Sequence, residues 1–521
     1  MLLVYLVLGV IVCFAYACSG CWGLSFSVKE SFFSGSHWGI FMSVDKVSLF
    51  ILLMLLICFC YAFKYTHHYF GGGEEGYDLN KLISLFVAVM ASLIFTGDFL
   101  TTLVFWEYLG VVSYFLIIFY LNYLSLRASV ITLVSSRFGD VCLFLLIASS
   151  AYVNFVIPVV LLFFFVVMTK SAGFPFVSWL LEAMRAPTPV SSLVHSSTLV
   201  AAGIWFAMRY DLFLWTGSGA GCLLIFLLTT VFITGICCFF FLDLKKIVAL
   251  STCNNIAWCV IYLILGDLIL SLFQLVSHGV SKCLLFMLVG DVMSGAGGSQ
   301  SANCVYSSSL YGKWGIFSLF SIILGLSGVP YLGIFFTKHF LLTNFVPLVS
   351  SPMAVLVLFC MFLSYFYSFR LCTILGSLKV SLVSGVFFCC GGGAMTYIWL
   401  VVNYFLSSYL DECFLVSSGV GFSLIAFQLL SVLTAYWMYA NVSLTLWSSS
   451  LFGCDSLVDF CFSEFYYICA SLGIFFYRWD KMILSMCAGL GSETILKNIG
   501  ELLNILMLGV ILLITILCIW A

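Results

Sequence analysis

The chemistry in this sequence rests on ionisable side chains set inside apolar runs. Glu107 lies in FLTTLVFWEYLGVVSYFLIIFY with no basic residue within a helical turn or two, so its partner has to come from another segment. Arg137 and Asp140, in SSRFGD, are spaced i,i+3 and share one helical face. A local ion pair that neutralises both is the bland alternative there. Lys170 closes the run VVLLFFFVVMTK. His195 opens HSSTLVAAG, where Ser196, Ser197 and Thr198 are placed to hold water or orient the ring; a satisfied core histidine is the alternative. Gln274, His278 and Lys282 recur at intervals of four, which puts three polar groups in one stripe of an apolar helix. Lys338 and His339 follow in FFTKHFLL, and Arg370 in YFYSFRLC is either functional or interfacial. Glu182 and Arg185 fit interface charges.

A charge at mid-bilayer costs at least about 2.5–3.5 kcal/mol on insertion scales, so groups of this kind mark function by default. An ammonium among apolar residues is disfavoured in its charged form and can hand its proton on. Histidine titrates near neutrality. Together these residues form an axis of acid, arginine, lysine and histidine, and the chemistry they suit is ion transfer, with the proton as the first candidate. Nothing resembles a nucleophile with its base or a phosphate loop. Cys18-Ser19-Gly20-Cys21 is a lone CxxC and His67-His68 a lone pair, short of the four convergent ligands of a zinc site.

The elements that position these groups have to be membrane helices. Of the 521 residues 64% are hydrophobic and 8% charged, with a mean hydropathy of +1.22; a soluble domain is about 25% charged. With roughly 20 apolar residues per span, about 14 to 16 spans are expected. Residues 1–17, 46–63, 219–242, 353–369 and 503–521 are the plainest. The runs are continuous rather than alternating, which argues against a β-barrel. The first run has no basic leader before it and is taken as a span rather than a signal peptide. A net charge of −2 gives no electrostatic case for nucleic acid. The 23 cysteines suit small core hydrophobes. The abundance of Phe, Tyr and Gly points to a base-biased genome such as an organelle's. Gly173 with Pro175, beside Lys170, and Gly328 with Pro330, before Lys338, form two similar breaks; broken helices at corresponding places suggest transporter repeats. Residues 294–313 form a Gly/Ser-rich connection. Residues 455–502 mix charges with aromatics, as an amphipathic helix at a membrane surface or along a partner does.

The segments TKSAGFPFVSWLLEAMRAPTPVSSLVHSSTLVAAG, LVFWEYLGVVSYFLIIFY, SSRFGD, DLKKIVALSTCNNIAW, SHGVSKCLLFMLVGD and GIFFTKHFL, in that order, resemble the antiporter-like membrane chains of respiratory complex I, NADH–ubiquinone oxidoreductase. The resemblance covers about residues 85–370. HSST and the C-terminal arrangement favour the chain 5 branch over its sisters 2 and 4. The resemblance implies an all-α polytopic bundle of inverted repeats with broken helices. It divides the chain into N-terminal spans (1–84), a two-repeat core (85–376), C-terminal spans (377–454), a lateral amphipathic helix (455–502) and a terminal anchor (503–521). It implies that Glu107 and Lys170 form a charge pair, that Arg137, Asp140, His195, His278 and Lys282 continue the relay, and that Lys338 lies near its exit. It further implies proton movement across the mitochondrial inner membrane, driven by quinone reduction elsewhere in the complex, in a chain encoded and synthesised inside the organelle. Flavin, iron–sulfur clusters and quinone would belong to other subunits. Partners would be other membrane-arm subunits, chain 4 above all, and lipids such as cardiolipin, with no nucleic acid.

The sequence departs from the family where Gln274 replaces a histidine, where His339 replaces an aspartate after Lys338, and in the loop after Asp291. Two other functions are compatible with the core motifs: a subunit of a multisubunit Na⁺/H⁺ antiporter, told apart by ion dependence, and a membrane scaffold whose charges are only ion pairs.

Overall fold

A computed structural model describes residues 24–31, 37–152, 156–210, 220–305, 307–308, 312–328, 333–345, 351–376, 380–381, 399, 418–438, 451–487 and 507–509. It divides into two units, Met1–Asp455 and Ser456–Ala521.

In the first unit an antiparallel ribbon, β1 (Leu24–Ser31) with β2 (His37–Val44), precedes the helices. The sequence reading did not expect it, although Leu24-Ser25-Phe26-Ser27-Val28-Lys29 alternates apolar and polar. It is tied down at Asp45, which pairs with Arg209, while the Arg209 guanidinium also donates to the Ser43 carbonyl at 3.0 Å. The helices are α1 (Lys46–Tyr69), α2 (Glu74–Ile94), α3 (Phe99–Ile117), α4 (Tyr123–Tyr152), α5 (Val156–Lys170), α6 (Ser178–Ala183), α7 (Thr188–Leu193), α8 (Leu199–Tyr210), α9 (Ala220–Phe240), α10 (Leu244–Ile264), α11 (Leu268–Gly295), α12 (Gly312–Ser327), α13 (Phe335–Phe340), α14 (Ser351–Gly376) and α15 (Ser418–Met438). A π-helical turn, Val194–Thr198, joins α7 to α8, and a second, Leu341–Phe345, follows α13.

Eleven helical stretches of the described residues are long and apolar enough to cross a membrane. Helices dominate because every backbone polar group in lipid needs an internal partner. Of the expected additional spans, 1–17 and nearly all of 503–521 lie outside the described residues. Burial sorts the spans into layers. The most apolar windows of Thr188–Tyr210 and of α11 are wholly buried, and that of α10 is 94% buried, whereas those of α1 and α4 are 33% buried. The outer helices turn Leu85, Phe115, Phe144 and Phe359 outward, the surface expected against hydrocarbon. So α7–α8, α10 and α11 form the centre, with α1 and α4 among the helices around them.

Both breaks expected from sequence exist. After Lys170 the chain leaves the helix until Ser178, and after Ser327 a turn at Gly328 leads to the short α13; Pro330 lies outside the described residues. A broken helix end exposes carbonyls that need donors. Trp179 Nε1 supplies one to Thr169 O at 3.1 Å, and Cys253 Sγ another to Ala172 O at 3.0 Å.

In the second unit the described residues are almost all one helix, α16 (Cys454–Cys487), from Ser456 onward. Its 34 residues reach about 51 Å at 1.5 Å per residue. Its aromatics, among them Phe460, Phe465, Tyr466 and Trp479, are exposed. Cys454–Lys481 is apolar enough to span by length and composition, an apolar content the sequence reading did not credit to this region.

Candidate functional site: an axis of buried ionisable groups

The axis starts where α3, α4 and α5 pack side by side. Glu107, on α3, is ion-paired with Arg137 of α4. The same guanidinium lies 3.5 Å from Asp140 Oδ2, one turn further along α4. Asp140 Oδ1 is 3.9 Å from the ammonium of Lys170, which is 1% exposed at the end of α5. Trp106, the neighbour of Glu107, lies under that ammonium with its ring centre at 5.1 Å, an attraction strengthened by removal from water. The expected direct pairing of Glu107 with Lys170 is therefore absent. The two are joined through Arg137 and Asp140, because the arginine reaches across to α3 while the aspartate faces α5. Arg137 and Asp140 do form the i,i+3 pair, and both also bond outward, so the pair is not closed on itself.

Two glycines permit this approach. A Cβ on Gly139 would collide with Thr169 Oγ1, and one on Gly203 would lie 3.0 Å from Val167 O and 3.4 Å from Lys170 Cβ. Any side chain at either position would push α4 or α8 away from α5 just where Lys170 sits.

Beyond Lys170 a narrow cavity of about 10 Å³ is lined by Ser113, Thr132, Ser135, Ser136, Thr169, Lys170 and His195 together with the apolar Ile117, Trp179, Val194 and Leu199, and most of its exposed wall is apolar. That is about the room one water needs. His195 is fully buried on the π-helical turn, against Trp179. A π turn leaves carbonyls without their usual amide, and the neighbouring hydroxyls take them: Ser197 donates to Leu193 O at 3.2 Å and Thr198 to Leu193 O at 3.0 Å, and Ser196 donates to Ser192 O. These hydroxyls hold the backbone rather than the histidine ring, a correction to the sequence expectation.

Gln274, His278 and Lys282 all lie on α11 and are all buried. Lys282 donates to Ser251 Oγ of α10. Gln274 Oε1 accepts from Thr337 Oγ1 at 2.8 Å, which ties α11 to α13 at the residue preceding Lys338. Lys338 donates to Ser327 O and Ser364 Oγ, each at 2.7 Å, and sits 3.8 Å from the centre of the Tyr365 ring. His339 is buried beside Phe335. Arg370 donates to Cys238 O and Phe241 O, so it caps the last turn of α9. Glu182 and Arg185 pair with each other at 3.1 Å, each about a third exposed.

Sequence reasoning missed Trp106, Ser251, Ser364, Tyr365 and Thr337, because a hydroxyl or ring beside a lysine carries no periodic signature. It also passed over Lys245, buried at the start of α10 and bonded to Ala186 O at 3.3 Å; a lysine opening an apolar helix was the available signal. Among the described residues no group of His, Cys, Asp and Glu is arranged to hold a metal ion.

A family described as NADH:quinone oxidoreductase/Mrp antiporter, transmembrane, matches residues 96–366, which contain every residue of this axis. NADH-ubiquinone oxidoreductase chain 5 of Anopheles arabiensis is 36% identical over 317 residues, 57% of this chain and 82% of that one. The chain 5 proteins of Anopheles gambiae and Caenorhabditis elegans are 35% and 33% identical over 63% and 62% of this chain, and the match spans 59% and 63% of their lengths. The structure of the Mrp complex from Dietzia sp. DQ12-45-1b superposes with a TM-score of 0.71 over 89% of this chain and 56% of that one, at 19% identity, a likeness of fold. The chain thus belongs to the NADH:quinone oxidoreductase/Mrp antiporter family of transmembrane subunits, where it resembles NADH-ubiquinone oxidoreductase chain 5.

Proposed function

We propose that this chain carries protons across the mitochondrial inner membrane as a membrane-arm subunit of a proton-pumping NADH:ubiquinone oxidoreductase. The observation that carries the reading is the continuous series Glu107–Arg137–Asp140–Lys170, which runs from the half-buried Glu107 and Arg137 to the buried Asp140 and Lys170, with Lys170 bordering a water-sized cavity that also touches His195. Each contact in it joins groups that hold or repel a proton, so a change of charge at one end alters proton affinity along the whole series. Lys170 gives up and regains a proton as Asp140 and the Arg137–Glu107 pair shift. Cavity water passes it towards His195, and His278, Lys282 and Lys338 carry it through the second half, with Gln274 holding Thr337 in place beside Lys338. His339 stands by the last lysine. The energy comes from quinone reduction in other subunits, and flavin, iron–sulfur clusters and quinone belong to those subunits. The long α16 suits a lateral helix along neighbouring membrane chains, the sister chain 4 among them, with cardiolipin filling the gaps between them. Synthesis within the organelle fits the composition.

The test is Glu107→Gln in the assembled complex. A reduced proton-to-electron ratio with NADH oxidation retained is expected; a full ratio would sink the coupling of Glu107 to Lys170. The second reading, a Na⁺/H⁺ antiporter subunit, is favoured by the shared Mrp fold. It predicts Na⁺-dependent transport by a chain that does not migrate with NADH dehydrogenase activity on a native gel.

A further inference from the structure

A larger cavity lies apart from the axis. It measures about 700 Å³ and opens where the C-terminal ends of α1 and α11 meet the N-terminal ends of α7 and α10. On its wall His68 Nε2 lies 3.5 Å from Asp291 Oδ1. The imidazole is 30% exposed and the carboxylate 3%, so the pair spans the boundary between the cavity and the protein interior. Lys245 lines the same cavity, held by the Ala186 carbonyl. An Asp–His pair within reach of water is a proton-exchanging arrangement: the carboxylate stabilises the imidazolium, and the exposed edge of the ring meets solvent.

The position of the pair gives it a task. Asp291 is nine residues beyond Lys282 on α11, about 13.5 Å along the helix at 1.5 Å per residue. A Cβ on Gly290 would strike Tyr65 Oη and lie 3.5 Å from Thr188 Cβ. Tyr65 and Thr188 therefore sit directly on the turn that carries Asp291, and Thr188 begins the helix that leads to His195. The cavity thus opens on the ends of the two helical segments that carry Lys282 and His195, residues that are themselves buried farther in.

We propose that this cavity is an aqueous port and that the His68–Asp291 pair exchanges protons there between water and the buried axis. In one direction hydronium in the cavity gives its proton to the neutral His68 imidazole and becomes water; in the other the imidazolium returns the proton to a cavity water. Asp291 holds the charged ring, and Lys245 sets the local field against a second bound cation. The titratable groups facing the pair are Tyr65 and Tyr69 from α1 and Lys245 from α10. The cavity wall adds the Thr188 hydroxyl from α7 and the Gln300 amide from the loop after α11, and α2 meets this end of α1 through Asn80, which accepts from Thr66 at 2.5 Å.

This port rests on the proton-carrying reading above, and the experiment separates the two. In vesicles containing the assembled complex, Asp291→Asn is expected to lower the pumping rate several-fold. The alkaline limb of its pH profile should move to lower pH, while Asp291→Glu restores the profile. His68→Gln, at a half-exposed position, serves if Asp291→Asn fails to assemble, and is expected to lower pumping likewise. Ser294→Cys, on the cavity wall, is expected to react with a membrane-impermeant maleimide from one face, with the unsubstituted complex as blank. No labelling of Ser294→Cys from either face, or an unchanged rate and pH profile in Asp291→Asn and His68→Gln, overturns the port. Lys170→Met run alongside tells which idea has failed: if it stops pumping while the port variants do not, the port alone is wrong, and if it too pumps fully, the proton reading falls and the port with it.

Discussion

The two halves of the axis hold their lysines by different means. Lys170 sits in a charge network, with Asp140 in reach and Arg137 and Glu107 behind it. Lys282 and Lys338 have no ion-pair partner among the described residues. Lys282 donates to a serine hydroxyl, and Lys338 is enclosed by a backbone carbonyl, a serine hydroxyl and the face of Tyr365. Beside His339, the neutral dipoles of Ser327 O and Ser364 receive the ammonium. A lysine in a charge network has its proton affinity set by what its neighbours carry, so it responds to events elsewhere. A lysine solvated by fixed dipoles has an affinity set by geometry, and it changes only when the helices move or a charge arrives along the axis.

Breaking the first half is expected to cost most. Asp140→Asn leaves Lys170 without a counter-charge in a buried site, a defect worth about 3–5 kcal/mol. Loss of pumping and weaker assembly should appear together, measured as proton-to-electron ratio and as complex yield on native gels. Full pumping in Asp140→Asn would show that the network is scaffolding. Gly139→Ala tests the same half through shape alone. It forces the new methyl onto Thr169 and should destabilise the α4–α5 contact by about 1–3 kcal/mol, read as a lowered thermal midpoint of the solubilised complex. An unaltered midpoint and ratio would mean that the close approach at Lys170 is not needed.

In the second half a single partner should matter less, because the ammonium has three. Ser364→Ala removes one hydrogen bond to a charged group, worth about 1.5–3 kcal/mol at most, with Ser327 O and Tyr365 remaining. A pumping rate reduced by about ten- to a hundredfold at most is expected; complete loss would show that Lys338 depends on Ser364 alone. His339→Asp sharpens the comparison by giving the second half a carboxylate. Its effect should be the smallest in rate and the clearest in kind: a shifted pH profile of pumping with assembly unchanged. A profile identical to the parent's would mean that residue 339 does not sense Lys338.

Hydropathy and spacing within single segments announced much of this. The lipid-facing class, the two broken helices and the ionisable groups inside apolar runs were all legible. So were the two short-range relations, Arg137 with Asp140 and the stripe Gln274–His278–Lys282, because both lie inside one helix and the helical repeat fixes them. The ribbon β1–β2 was missed although Leu24-Ser25-Phe26-Ser27-Val28-Lys29 alternates apolar and polar, because its partner strand His37–Val44 shows no such period and long apolar runs lie on either side. Residues 455–502 were read as an amphipathic helix that mixes charges with aromatics, and Cys454–Lys481 within them is also apolar enough to span by length and composition.

What the sequence by itself determined, then, is composition and local order: which residues are forced out of water, and which side chains share a helix face. What only the tertiary structure decided is who meets whom. Glu107 finds Arg137 across 30 positions, Lys282 finds Ser251 across 31 and Gln274 finds Thr337 across 63. The physical reason is that a buried charge is satisfied by whichever dipole or counter-charge another helix brings within about 3 Å. That choice depends on helix packing, on a glycine that lets two backbones approach, and on where a broken helix leaves its carbonyls. None of these has a period along the chain.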